Sequence, residues 1–194
     1  MATIAVNGTT INYVDEGPRD APALVFAHSM FFDHRMFAAQ AAELSTHHRV
    51  IRYDLRGQGD SQRHPREALD FDTQTEDARQ LIAELALRDV TFVGNSMGGF
   101  IGLRLAARHP DLLRSLAHRP AILDELRNIT VPLTIVAGTE DHTYPPPKSE
   151  QIAERVPHAE LVVMKRTGHV HALENPIAVN AVLADHLMAL RDRA

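Results

Sequence analysis

The stretch VTFVGNSMGGF, residues 90–100, sets Ser96 between Gly94 and Gly98 where an apolar run gives way to a helical pattern. A Gly-x-Ser-x-Gly at a strand-to-helix junction can hold a serine hydroxyl on a tight, strained bend beside the first amides of the helix. A serine hydroxyl is a weak nucleophile at neutral pH. Acyl chemistry therefore needs a base, a carboxylate to orient that base, and N–H donors for the oxyanion that develops. In the chain order serine, acid, histidine, the acid lies just past a later strand. LTIVAGTED puts Glu140 and Asp141 beyond the run ending at Gly138, and Asp141 is the expected acid. The base follows the last strand, where ELVVMKRTGHVHALENP supplies His169, with His171 expected to be a loop histidine.

Two backbone amides are the expected oxyanion donors. One is that of Met97, directly after the serine. The other is that of Met30, in the loop HSMFFDHRMF after the run ALVFA, with Phe31 as its alternative. Each feature also has an ordinary reading: a glycine-rich turn with an idle serine, or a solvated Glu-Asp pair after a strand. A phosphate loop fits worse, because no lysine follows the glycines. The remaining histidines show no Glu-flanked pair and no clustered ligand spacing, so no metal is expected, and acyl transfer through a serine needs no cofactor. YDLRGQGDS, 53–61, reads as a turn in which Asp54, Arg56 and Gly57 are structural and hold loops near the site.

These residues need elements to carry them. Residues 2–6 and 10–14 alternate as strands joined by Asn7-Gly8, a hairpin signal. ALVFA (23–27), RVIRYD (49–54), VTFVG (90–94), LTIVAG (133–138) and ELVVMK (160–165) are short apolar runs of the kind buried on both faces, and LLRSLA (112–117) is a weaker one. Helical periodicity covers 75–87, 97–108, 147–155 and 174–190. Strands alternating with helices after a hairpin predict an α/β fold with a mostly parallel, doubly wound sheet, and such sheets bind ligands at the carboxyl ends of their strands.

Composition limits the partners. The chain has 194 residues, suited to one domain, with a formal net charge of -5 and no run of Lys or Arg that could track a phosphate backbone. No nucleic-acid partner is expected. With no cysteine there is neither a disulfide framework nor a thiolate metal site, which fits a reducing compartment. MATIAVNGTTINYVDEG alternates like a strand and lacks the pattern of a signal peptide, and no apolar stretch approaches the ~20 residues that cross a bilayer. A soluble, cytoplasmic protein without a membrane partner is expected.

In order along the chain stand FAHSM, YDLRGQGDS, GNSMGG, GTED and GHVHALENP. With these five motifs the sequence resembles the α/β-hydrolases of the broad esterase, 3-oxoadipate enol-lactonase and cofactor-free haloperoxidase group, over nearly the whole chain. The resemblance implies an α/β-hydrolase fold: a mostly parallel eight-stranded sheet with an antiparallel N-terminal hairpin, in a single core domain of residues 1–194. It implies a serine hydrolase cleaving small carboxylic esters or lactones through an acyl-enzyme, with Ser96, His169 and Asp141 as the triad. The alternatives are perhydrolase- or haloperoxidase-like use of the same triad, or a cap-stripped or receptor-like binding scaffold with little turnover.

One departure from the family is visible. Its helical cap, inserted after the sixth strand, is nearly absent here near 117–121, where LLRSLAHRPAILDELRNITVPLTIVAG runs almost directly to the acid strand. A lidless member should hold Ser96 in an open groove edged by Met30, Phe31, Met97 and Tyr144, with Phe31 and Tyr144 as substrate contacts. The uncovered apolar rim is an expected surface for a homodimer.

Overall fold

The structure, a computed structural model, describes residues 1–118 and 125–192. Eight strands form one sheet: β1 (Ala2–Val6), β2 (Thr9–Glu16), β3 (Ala23–Ala27), β4 (Arg49–Tyr53), β5 (Thr91–Gly94), β6 (Ser115–His118), β7 (Leu133–Gly138) and β8 (Glu160–Met164). Their spatial order is β1-β2-β4-β3-β5-β6-β7-β8. The pairs β1–β2 and β2–β4 are antiparallel and all others are parallel, as the alternation of strands and helices predicts. The hairpin between β1 and β2 turns at Asn7 and Gly8, both at positive φ, the geometry of a two-residue turn whose twist matches that of its strands.

Among the described residues six α-helices cover the sheet: α1 (Ala38–Leu44), α2 (Phe71–Glu84), α3 (Met97–Arg108), α4 (Pro146–Ala153), α5 (His171–Glu174) and α6 (Pro176–Arg191). The pleat sends alternate residues of ALVFA to opposite sides. Val25 joins a core with Ala78, Leu81, Ile101 and Leu105 of α2 and α3, while Leu24 and Phe26 join one with Phe37, Ala41 and Leu183 on the side of α1 and α6. All five residues of β3 are buried, which is why this run reads as continuously apolar. Each fully buried Leu, Ile or Phe contributes about 1.5–3 kcal/mol relative to an exposed one, so the central strands anchor everything at their ends.

Several boundaries differ from the periodicity, among them that of β6, which starts at Ser115 rather than 112 because Pro110–Leu112 form a 3-10 turn. Helix α2 begins at Phe71 rather than 75, because Asp70 caps it by accepting from the Thr73 N–H at 2.8 Å. The seven-residue α1, AAQAAEL, carries too few large apolar residues to announce itself and is buried through Gln40, Ala41 and Leu44. The expected gap in the cap, near 117–121, runs into 119–124, which lie outside the described residues. Seven residues, 119–125, separate His118 from the short 3-10 turn Leu126–Asn128. Among the described residues no helix is long and apolar enough to cross a membrane.

The chain leaves β3 to form β4 on one side of it and returns to form β5 on the other. The carboxyl ends of β3 and β5 therefore lie side by side, Ala27 opposite Gly94, at the point where the winding reverses. A crevice opens there by topology alone.

Candidate functional site

Ser96 sits at that reversal with φ 52 and ψ -112, a left-handed backbone that costs a non-glycine residue on the order of 1–3 kcal/mol. The neighbouring glycines are required by close approach. A Cβ on Gly98 would lie 2.0 Å from the Ala27 carbonyl oxygen, and one on Gly94 would lie 2.5 Å from the Gly98 backbone. The first turn of α3 is thus pressed onto the ends of β3 and β5, and Ser96 is held at its N-cap. An N-cap serine ordinarily accepts a hydrogen bond from its own helix, but this one makes none. Its Oγ instead lies 3.0 Å from His169 Nε2.

His169 stands in the loop after β8, with Nδ1 at 3.1 and 3.2 Å from the two carboxylate oxygens of Asp141. Asp141, in the turn after β7, is itself oriented: its Oδ1 accepts the N–H groups of Thr143 and Tyr144 at 2.9 and 2.8 Å. Its side chain is fully buried, whereas that of His169 keeps 24% exposure. The adjacent Glu140 is exposed and makes no bond to the histidine. Serine, histidine and acid come from three separate strand ends, and the fold brings these expected partners into one hydrogen-bonded line.

Two residues that sequence reasoning passed over hold the histidine loop. The Glu174 carboxylate accepts from Gly168 N–H at 2.7 Å and from Val170 N–H at 2.8 Å, bracketing His169 on both sides. Asn95 donates from Nδ2 to the His169 carbonyl at 3.3 Å. The signal for Glu174 was its place just before Asn175-Pro176, where a helix start draws a carboxylate toward loop amides; no local pattern marks Asn95. His171 is not a loop residue but opens α5. It is buried beside a small cavity of about 50 Å³, walled mainly by Phe37, Val93, Val179 and Leu183.

The amides expected around the oxyanion have a clear status. Phe31 N–H is already given to Gln58 Oε1 at 2.7 Å, and Ser29 N–H points to Met36 Sδ at 3.5 Å. Among the described residues nothing accepts from the N–H of Met30 or of Met97. The side chains of Met30, Phe31 and Met97 line a cleft of about 1180 Å³ together with Gln58, Arg66 and Leu69. The Phe31 side chain is 91% exposed. Tyr144 is not on the walls of this cleft; it is half-buried in the acid turn, with Lys148 Nζ 5.3 Å from its ring centroid.

The loop after β3 is braced from below. His28 Nδ1 lies 2.7 Å from the Ser29 carbonyl, and its Nε2 accepts the Leu55 N–H at 2.9 Å, so the ring is used in its neutral form. Burial pushes its imidazole below the ordinary histidine range, against the pull of the Ser29 carbonyl and of the Asp54 and Asp33 carboxylates. Asp54 is the hub beneath. Its oxygens accept from His34 N–H, His34 Nδ1, Asn12 Nδ2 and Asp60 N–H at 2.7–2.9 Å. Burial alone would raise its carboxyl, but the N–H groups of Asp60 and His34 and the Asn12 amide outweigh that and hold it below the usual value. Arg56 pairs with buried Asp77 of α2 at 2.6 and 2.7 Å, tying the same turn to the helix layer.

Asp33, His34 and Asp54 form the one group of three potential metal ligands among the described residues. Their donors are committed elsewhere: Asp33 to the Arg35 guanidinium, which draws its carboxyl down to about 2, and Asp54 to four N–H groups.

Comparison with known proteins agrees with this architecture. Residues 22–126, just over half of the chain, match the model of the alpha/beta hydrolase fold family. A 3-oxoadipate enol-lactonase of Acinetobacter baylyi is 36% identical over 105 residues, and an α/β-hydrolase superfamily protein of Bacillus subtilis is 41% identical over 87 residues. These matches take in 52% and 44% of this chain but only 39% and 32% of the relatives, so the chain spans well under half of their length. The crystal structure of an enol-lactonase from Burkholderia xenovorans superposes with a TM-score of 0.91 at 25% identity, covering 96% of this chain and 100% of that one. An eight-stranded sheet of this order, a serine on a strained turn after β5 and a family match across its centre lead to one conclusion: the chain belongs to the α/β-hydrolase fold family.

Proposed function

We propose that the protein is a serine hydrolase that cleaves small carboxylic esters or lactones. The observation that carries the reading is the line Ser96 Oγ, His169 Nε2, His169 Nδ1 and Asp141, with separations of 3.0 to 3.2 Å at a strained elbow. In this mechanism Ser96 Oγ attacks the acyl carbon as His169 Nε2 takes its proton, and the buried Asp141 steadies the imidazolium. The amides of Met30 and Met97 stabilise the tetrahedral oxyanion, each worth about 3 kcal/mol by the cost of deleting one such donor. His169 returns the proton to the leaving alcohol, then draws one from water, which cleaves the acyl-enzyme. No metal or cofactor takes part.

The likeness to enol-lactonases supports the ester and lactone class. The seven-residue link after β6 supports an uncapped site, and hence a preference for short acyl groups. Turnover of p-nitrophenyl acetate, together with fluorophosphonate labelling, tests the reading. Wild type should hydrolyse the ester and carry the label on Ser96, and Ser96→Ala or His169→Ala should lose on the order of 10⁶ in kcat if the three residues act as a unit. Labelling without turnover would mean a binding scaffold with a remnant site. A Ser96→Ala variant retaining a tenth of wild-type turnover would mean that the nucleophile lies elsewhere.

A further inference from the structure

Ser29 to Phe32 form a tight turn, closed by Phe32 N–H on the Ser29 carbonyl at 3.2 Å. Its third residue, Phe31, has φ 68, a left-handed value that this turn position ordinarily reserves for glycine. Packing does not hold Phe31 there, since its side chain is 91% exposed. What holds it is a hydrogen bond: the Phe31 N–H is donated to Gln58 Oε1 at 2.7 Å. With Oε1 committed in that direction, the other end of the same amide, Nε2, lies 3.4 Å from Met97 Sδ. Gln58 stands in the turn between Gly57 and Gly59, which Asp54 and Arg56 anchor to the sheet and to α2.

We propose that Gln58 is a positioning residue for the oxyanion hole: it clamps the turn carrying the Met30 amide in its left-handed form and sets that turn's distance from Met97. This inference rests on the serine-hydrolase reading above. Without the Gln58 acceptor, the peptide between Met30 and Phe31 flips to the common turn, Phe31 returns to negative φ, and the loop that presents the Met30 N–H loses its seat. Ground-state ester binding in an open cleft changes little, whereas stabilisation of the oxyanion suffers, so the loss appears in kcat and not in KM.

The test combines Gln58→Leu and Gln58→Met, which remove the acceptor at similar length, with Phe31→Gly, which accepts positive φ without strain. A fall of about 30-fold in kcat is expected for both Gln58 variants, since an error near 1 Å in placing a group can cost up to ~100-fold. KM should stay within about twofold, and inhibition by phenylboronic acid, a tetrahedral mimic, should weaken in parallel with kcat. In the Phe31→Gly background the same Gln58 change should cost under about threefold, because glycine no longer needs the clamp. Gln58 variants that keep more than a third of wild-type kcat overturn the proposal, as does a loss equally large in both backgrounds. The underlying reading fails separately: wild type would then show no turnover that Ser96→Ala abolishes, whatever residue 58 does.

Discussion

Two histidine–carboxylate pairs lie close to the reversal point, and their surroundings differ. His34 Nδ1 is 2.8 Å from Asp54, and His169 Nδ1 is 3.1 Å from Asp141. Both acids have fully buried side chains, so distance and burial of the acid do not tell them apart. The histidines do. His34 is 9% exposed and pinned through its own backbone N–H to the same carboxylate, and no described nucleophile is bonded to it. His169 is 24% exposed, and its far ring nitrogen meets a serine that its helix does not use as a cap. On the proposed reading, the pair whose far ring nitrogen meets the serine is the one that works, and the pair pinned to the loop by the same carboxylate is scaffold.

Exchanging the acids should separate these roles most sharply. Asp141→Asn should lower kcat by about 10⁴ through the wrong histidine tautomer, while moving the melting temperature little. Asp54→Asn should do the reverse, because its new NH₂ faces groups that need an acceptor. A loss of about 3 kcal/mol, roughly 10 °C in Tm for a chain of this size, is expected with activity per folded molecule largely kept. Rate assays and calorimetry on both variants decide it, and equal loss of rate in the two would erase the distinction.

The openness around His169 also predicts selectivity. If the proposed uncapped reading holds, burial of ~100 Å² of apolar acyl chain is forgone at roughly 25 cal/mol per Å², which is close to two powers of ten in affinity. Across p-nitrophenyl esters from C2 to C12, kcat/KM should be highest at C2 to C4. An optimum at C8 or beyond would mean that other residues rebuild a deep pocket.

The smallest effect concerns the closed region. Burial lowers the imidazole pKa of His28, and also that of His48. The unfolded chain therefore binds protons near pH 6.5 that the folded chain refuses, and stability that is full above that pH should decline as pH falls below it. Melting temperature measured from pH 7.5 to 5 should drop, and His28→Gln should flatten the slope. A level profile in wild type would show that these rings accept protons without strain.

Local sequence carried much of this molecule. Apolar runs such as ALVFA announced strands buried on both faces, Asn7-Gly8 announced the hairpin, and MGGFIGLRLAAR announced α3, because each pattern reflects steric or solvation demands felt within a few residues. The serine, acid and histidine were also legible, since each occupies a turn directly after a strand. What tertiary structure decided was partnership. Ser96 and His169 are 73 positions apart, and Gln58 reaches Phe31 and Met97 from a turn that looks purely structural in the sequence. The motif around His169 marked it as the expected base, but nothing near His34 in the chain said that it would pair with Asp54. A hydrogen bond across the sheet depends on where distant strand ends converge, so the distinction arose only when β3, β5, β7 and β8 brought their carboxyl ends to one edge.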